Sequence, residues 1–306
     1  MAGVISRGTI PQFTGLQKGL VKSFGMAYAD WKPFYPEMFE VLQSDQQFEE
    51  ETLMSGLGLA QQKTEGGNFS YDSMAQGFTK RYQHTTYSNG FQITFEAIDD
   101  GKASVIGDMK TKAIKWSLIH TLELLSANVY NNAFDTAYTG GDSLNLCSTS
   151  HTITAGTLSN RASTDQDLSE TSLTQAMVDI GNFTDDRGLR IYAQPRKLIT
   201  KMDTPMFDAN RLLHSVNRVS TTNNDINVIR NMGMFPEGTL ANPYLTDADA
   251  WFILTDVKDG MKLFMRRNFE FKQENEFSTM GMNFVGFFRV GLGWTDYRAV
   301  YGSQGS

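Results

Sequence analysis

The sequence predicts an α+β fold, because one long helical segment is flanked by segments with the pattern of β-strands. Residues 102–134 contain no proline and space their apolar residues as a helix does. Residues 90–98 alternate apolar and polar side chains with the two-residue period of a half-buried strand. Strand-like segments lie on both sides of the helix, at 48–55, 77–87, 90–98, 250–255, 261–272 and 283–294.

The helical segment is long enough to connect separate parts of the protein, on the order of 50 Å at 1.5 Å per residue. Asp99 and Asp100 precede it and provide a cap and negative charge at its positive end. Its apolar residues form two stripes. The first comprises Val105, Met109, Ala113 and Trp116; the second comprises Leu118, Leu122, Leu125, Val129 and Ala133. Two stripes predict two packing partners, although the helix alone is more typical of the core of an ordinary α+β domain.

The strands before the helix predict an extended β-ribbon. Asn89-Gly90 is a tight-turn signal between two strand patterns. Residues 61–76 are polar and contain glycine, as expected for the tip of such a ribbon. Because an isolated two-stranded ribbon is marginally stable in water, we expect a neighbouring subunit to support it. A surface flap is the alternative.

The N-terminal residues, 1–46, predict an arm. Residues 24–39 are rich in aromatic side chains. Such a segment requires a surface to pack against, either on its own domain or on a neighbouring subunit.

Composition excludes several classes of protein. The net charge of −7 and a pI near 5.2 argue against a dedicated nucleic-acid binder. Cys147 is the only cysteine, so an intrachain disulfide and a thiolate metal cluster are excluded, and a reducing compartment fits. The sequence has no signal-peptide pattern and no stretch of about 18 apolar residues, so we expect no membrane span.

No catalytic signature is present, and we expect a protein that is not an enzyme and has no cofactor. The phosphate-binding, dinucleotide-binding, serine-hydrolase and zinc-protease motifs are absent. The histidines lack the spacing of metal ligands. Cys147 and His151 would be the residues of a nucleophile–base pair, but a buried, inert cysteine is the commoner arrangement.

The order of these parts resembles that of the major capsid proteins of tailed bacteriophages. These proteins have the Hong Kong 97-type fold, which encapsulins share. Residues 92–100, which run directly into the long helix, are similar to the junction between ribbon and spine helix in that family. Residues 146–152 are similar to its short segment after the spine helix.

The resemblance implies an arrangement of five segments. They are an N-terminal arm at 1–46, an extended β-ribbon loop at 47–101, a peripheral domain with the spine helix at 102–152, an axial domain at 153–255, and returning peripheral strands with a C-terminal tail at 256–306. In the family, the axial domain surrounds the centres of pentamers and hexamers.

The resemblance also implies a function as the structural head protein of a phage. Copies of the chain would assemble into pentamers and hexamers of an icosahedral shell around double-stranded DNA, in the host cytoplasm. An acidic chain suits a wall past which DNA slides, without sequence-specific contacts. Separate scaffolding, portal and cement proteins are further expected partners.

Contacts between subunits are expected from exposed aromatic and charged residues of the arm, ribbon and helix. The candidate interface residues are Trp31, Phe34, Tyr35, Lys63, Glu65, Phe69, Tyr71, Arg81 and Trp116. Some relatives cross-link a ribbon lysine to an asparagine. Lys63 lies near the ribbon tip, but the sequence identifies neither an asparagine partner nor an acidic catalyst, so we do not predict this cross-link.

Three other functions are alternatives. An encapsulin-type compartment would have the same fold and contain protein cargo. A phage tail-tube protein would consist mostly of strands, which the long helix argues against. A soluble enzyme would need a pocket with convergent polar groups.

Overall fold

A computed structural model describes the protein at residues 32–100, 103–218, 225–276, 278 and 281–305. Most of the predicted arm, including Trp31, lies outside these residues. The described helices are α1 (Tyr35–Met38), α2 (Phe95–Asp99), α3 (Ala103–Asn131), α4 (Glu170–Gly181), α5 (Thr204–His214), α6 (Val228–Met232) and a 3₁₀ helix (Tyr297–Ala299). The described strands are β1 (Glu40–Gln43), β2 (Phe48–Met54), β3 (Gln76–Gln83), β4 (Thr85–Ile93), β5 (His151–Ile153), β6 (Gly156–Leu158), β7 (Pro195–Lys201), β8 (Thr239–Asn242), β9 (Trp251–Thr255), β10 (Met261–Asn275), β11 (Met282–Trp294) and β12 (Val300–Ser303).

The strands form two four-stranded sheets and two hairpin-like pairs. The first sheet has the order β1-β10-β11-β4, in which only the β1–β10 pair is parallel. The second sheet has the order β12-β9-β7-β8, in which only the β7–β8 pair is parallel. The strands β2 and β3 form an antiparallel ribbon, and β5 and β6 form a short pair. The prediction of an α+β fold is confirmed.

The long helix is also confirmed: α3 has 29 residues and contacts both sheets. Its N-terminal half packs against β4 and β11. At its C-terminal end, the ring of Tyr130 packs edge-on against Phe252 of β9, with the ring centroids 5.3 Å apart. The helix therefore connects the two sheets.

The buried side of α3 is a single stripe, so the prediction of two stripes is wrong. Met109 and Ala113, from the predicted first stripe, are exposed. The buried stripe passes through polar residues that apolar spacing does not reveal: Thr111, Lys115, Glu123 and Ser126. The predicted second stripe is confirmed at Leu118 and Leu122, which are both buried.

The segment before α3 differs from the predicted ribbon. Only β2 and β3 form the ribbon, whereas β4 pairs with β11 in the first sheet. The predicted turn at Asn89-Gly90 is wrong, because both residues lie inside β4, opposite Gly286 and Val285. A Cβ atom at position 90 would lie 2.6 Å from the carbonyl oxygen of Phe284, so this glycine permits a close approach between strands. Residues 95–98, predicted as the end of a strand, lie in the helix α2.

The second sheet forms the centre of the main core. All five residues of β9 are buried, and Leu198 and Ile199 of β7 have no exposed surface. A run that is buried on both faces is expected where helices or loops cover both sides of a sheet. One such helix, α4, begins with a capping box in which the Ser169 hydroxyl accepts a hydrogen bond from the Ser172 N–H.

We expect Leu118→Ala to lower the free energy of unfolding by about 2–5 kcal/mol, because it leaves a cavity in the main core. Leu124→Ala is the matched control on the same helix. The Leu118 side chain is 2% exposed and that of Leu124 is 47% exposed, so the control should change stability by less than about 0.5 kcal/mol. Urea unfolding of dissociated subunits, followed by circular dichroism, measures both. Equal losses would contradict the assignment of the buried side.

We expect Lys115 to make stability depend on pH. Burial lowers the pKa of this lysine from 10.5 to about 8. Between these values the unfolded chain binds a proton that the folded chain has released, so the free energy of unfolding rises with pH. Relative to Lys115→Met, the wild type should gain on the order of 1–3 kcal/mol across this window. Urea unfolding at several pH values tests this, and a constant difference would contradict it.

Candidate functional site

The base of the ribbon is fixed to the first sheet by a largely buried ion pair. Lys262 of β10 donates hydrogen bonds to Glu51 of β2 at 2.5 Å and to Asp259 at 2.8 Å. Burial alone would lower the pKa of Lys262, but the hydrogen bonds to Asp259 and Glu51 outweigh it and raise the pKa. The hydroxyl of Thr295 donates to the other oxygen of Glu51 and lies 2.5 Å from the hydroxyl of Tyr82 in β3. Both ribbon strands are therefore attached to the sheet.

The tip of the ribbon carries four of the candidate interface residues. Lys63 lies over the ring of Phe69, with its Nζ atom 4.3 Å from the ring centroid. Glu65 is exposed, and Tyr71 is 91% exposed. These side chains have the exposure that a contact with another subunit requires.

Arg81 lies in the ribbon, and Trp116 lies on α3. Arg81 in β3 binds Glu50 across the ribbon at 2.6 Å and lies over the ring of Phe48. Trp116 stacks on His120 one turn along α3, with ring centroids 5.8 Å apart. Both side chains keep an exposed surface.

Phe34 and Tyr35 make their described contacts within their own chain. The backbone N–H of Phe34 donates to Glu123 of α3 at 2.9 Å, and its ring packs edge-on against Tyr244. Tyr35 is buried in the main core. Contact with another subunit stays a prediction for all the candidate interface residues, and Trp31 lies outside the described residues.

Cys147 and His151 do not form a nucleophile–base pair. Cys147 is fully buried, and burial raises the pKa of its thiol far above the ordinary range. The Nδ1 atom of His151 lies 2.5 Å from Asp142, and Nε2 lies 3.1 Å from the side-chain oxygen of Asn160. Its ring stacks on Tyr297 at 3.6 Å. Both ring nitrogens are thus engaged in hydrogen bonds, and the histidine has a structural role.

Asn160 is a structural residue that the sequence did not reveal. Its amide NH₂ contacts the carbonyl oxygens of Leu146, Tyr297 and Val300, and its oxygen accepts from the Ser148 N–H. It therefore joins the segment that follows α3 to the C-terminal strand β12. A polar loop residue of this kind has no sequence pattern that distinguishes it from a solvated asparagine.

A cleft of about 510 Å³ lies beside α4 and lacks the groups that an active site combines. Among the described residues that line it, Asp179 is the only carboxylate, and its oxygen accepts the Tyr301 hydroxyl at 2.9 Å. The other lining side chains are mostly hydroxyl and amide groups without a histidine, lysine or cysteine. This arrangement does not provide an acid–base pair.

The part of the chain that the structure describes also offers no metal cluster and no membrane-spanning helix. Within those residues, no cluster of three or more histidine, cysteine, aspartate or glutamate side chains is placed to bind a metal ion. None of the described helices combines the length and the apolar character needed to span a bilayer.

The protein family is shown by a family model described as phage capsid protein, which matches residues 77–303. This match covers well over half of the 306 residues. The chain belongs to the phage capsid protein family. The predicted family is thereby confirmed, and with it the coarse function of a structural capsid protein of the virion. No curated protein matches the sequence.

Solved structures show the same fold in phage capsids. A chain of Mycobacterium phage Patience has a TM-score of 0.54 at 12% identity, over 95% of this chain and 86% of that one. The procapsid of bacteriophage JBD30 gives a TM-score of 0.50 at 14% identity, over 98% of this chain and 76% of that one. The predicted Hong Kong 97-type fold is confirmed by these similarities.

A virus-like particle from Pyrococcus furiosus is also similar. Its TM-score is 0.51 at 11% identity, over 95% of this chain and 98% of that one. The fold of this capsid family therefore extends to particles that are described as virus-like.

We expect the thiol of Cys147 to be unreactive in the folded protein, because burial disfavours the thiolate and excludes reagents. At pH 8, a thiol reagent such as Ellman's reagent should label the folded subunit negligibly and label one thiol per chain in 6 M guanidinium chloride. Rapid labelling without denaturant would contradict the buried position and would return attention to the Cys147–His151 hypothesis.

Proposed function

We propose that the chain is the major capsid protein of a tailed phage. Its copies assemble into pentamers and hexamers that form an icosahedral shell around packaged double-stranded DNA. The observation that carries the proposal is the match of residues 77–303 to the phage capsid family. Assembly takes place in the host cytoplasm, and separate scaffolding, portal and cement proteins complete the head.

The geometry of the ribbon supports self-assembly. Its base is fixed to the first sheet, while its tip exposes apolar side chains that the chain's own core does not cover. A ribbon tip that contacts the next copy makes a heterologous contact, and such contacts form rings where the rotation between copies closes. Contacts of this kind add area to each interface and, over many copies, avidity.

The net charge of −7 supports a container for DNA. An acidic chain lacks the extensive basic surface that binds phosphates tightly. Packaged DNA would therefore be held by confinement, without contacts to particular bases. The proposal assigns no catalytic step and no cofactor to the chain.

An encapsulin-type compartment is the second candidate, with protein cargo in place of a genome. The specific observation in its favour is the similarity to the virus-like particle from Pyrococcus furiosus, of which 98% is covered. The two candidates share a fold and a mode of assembly, so they differ only in what the shell contains.

We expect the purified protein to form closed shells, or discrete pentamers and hexamers, by negative-stain electron microscopy and size-exclusion chromatography with light scattering. Heterologous contacts between many copies are the physical reason. Salt concentration should be varied, and candidate scaffolding proteins should be co-expressed. A monomer or dimer under all these conditions would contradict the proposal.

The contents of particles isolated from the natural host separate the two candidates. Double-stranded DNA that is protected from nuclease supports the phage head. A defined protein cargo without DNA, identified by mass spectrometry, supports the compartment and overturns the phage proposal.

A further inference from the structure

The turn at residues 185–188 is held rigidly and presents one arginine. Asp185 accepts hydrogen bonds from the backbone N–H groups of Arg187 at 2.9 Å and Leu189 at 2.8 Å. Gly188 has φ of +84°, which favours glycine. Asp186, which follows Asp185, forms an ion pair with the buried Arg298. The backbone position of Arg187 is therefore fixed.

Arg187 holds the tip segment of the ribbon. Its Nη1 atom lies 3.0 Å and 2.8 Å from the two carboxylate oxygens of Asp72, and its Nη2 atom donates to the carbonyl oxygen of Ser73. The Asp72 carboxylate also accepts the N–H of Gly58 from the opposite side of the loop at 2.8 Å. The N–H groups of Gly58 and Ser73, and then Arg187, lower the pKa of Asp72. One carboxylate thus connects both sides of the ribbon tip to the turn.

Two glycines allow the tip segment to approach the turn closely. A Cβ atom at Gly56 would lie 3.0 Å from a carboxylate oxygen of Asp185. A Cβ atom at Gly58 would lie 3.2 Å from Asp72 and 3.5 Å from Arg187. At positions 56 and 58, the inner side of this segment, which faces the turn, therefore carries no side chain.

The intervening residues of the tip expose large apolar side chains. We call four of them the outer face: Leu57, Leu59, Phe69 and Tyr71. Each is more than half exposed, and Leu59 is 80% exposed. Because the inner side is occupied by the turn, the described part of the chain leaves the outer face in solvent. A cluster of exposed apolar side chains of this kind marks an interaction surface.

We infer that the Asp72–Arg187 ion pair is a positioning contact, which orients the ribbon tip so that a second copy of the chain can bind the outer face. This inference rests on the proposed function. Holding the tip in the bound orientation before assembly reduces the conformational entropy that assembly must otherwise remove.

A second copy provides a surface of matching chemistry for the outer face. On the exposed side of α3, Met109 lies between the exposed Lys110 and Asp108, and Lys112 follows. The exposed charges of the tip are of both signs, Lys63 and Glu65, like those beside Met109. The outer face and Met109 can therefore make an apolar contact without a repulsive excess of one charge, and the proposed assembly of identical capsid chains makes a copy of this chain the occupant.

The experiment compares wild type with Arg187→Gln and Asp72→Asn. In dissociated subunits, trypsin cleavage after Lys63 reports how firmly the tip is held, and mass spectrometry identifies the fragment. Light scattering then gives the protein concentration above which assembly begins. Arg196→Gln is the control, because it removes an exposed ion pair, with Glu237 at 2.9 Å, in the second sheet.

We expect both single variants to be cleaved faster after Lys63 and to need a higher concentration for assembly, by about tenfold if the lost orientation weakens each contact by about 1.4 kcal/mol. The control should leave cleavage after Lys63 unchanged. Unchanged assembly in the single variants would overturn the inference, and so would assembly at a lower concentration.

The outer face is tested by Leu59→Ser and Tyr71→Ser. These variants keep the ion pair, so we expect cleavage after Lys63 to stay at the wild-type rate while the concentration for assembly rises. Normal assembly of both variants would overturn the role of the outer face. If wild type itself never assembles, the proposed function fails, whereas the cleavage comparison still shows whether the ion pair holds the tip.

Discussion

The burial of one side of α3 along its length is the constraint on which the two sheets depend. A helix of 29 residues is far longer than the three or four turns that one small core covers. Its N-terminal half is covered by β4 and β11, and its C-terminal end by β9 through Tyr130 and Phe252. The helix consequently fixes the two sheets relative to each other. A subunit of a shell requires this rigidity, because interfaces at different ends of the subunit must keep a constant geometry.

The ribbon is held at two places that differ in strength. At the base, Lys262 is nearly inaccessible, and its contacts with Glu51 and Asp259 are shielded from solvent on the lysine side. At the tip, Asp72 and Arg187 are both partly exposed, so their attraction is screened by water and salt. The base therefore holds the ribbon more strongly than the tip contact does, and the attraction at the tip weakens as the salt concentration rises.

The candidate interface residues differ in how far the structure leaves them exposed. Phe69 and Tyr71 were expected on a ribbon tip because polar and glycine residues surround them, and they are exposed there. Tyr35 was grouped with them for its aromatic side chain, yet it is buried in the main core. Composition identifies an aromatic residue that needs a partner but does not indicate whether the partner belongs to the same chain. Arg187 was missed because a charged residue in a turn is ordinarily solvated, and only the tertiary structure places Asp72 beside it.

The sequence by itself determined the α+β class, the long helix, most of the strands and the absence of the common catalytic motifs, because these depend on local periodicity and residue type. The order of its elements also pointed to the capsid family. Only the tertiary structure decided the pairing of β4 with β11, which overrode the local turn preference of Asn89-Gly90. It also decided which side of α3 is buried, because polar residues such as Lys115 and Glu123 lie on that side. Contacts between residues distant in sequence stabilise this strand pairing and this orientation of α3, and no local pattern encodes such contacts.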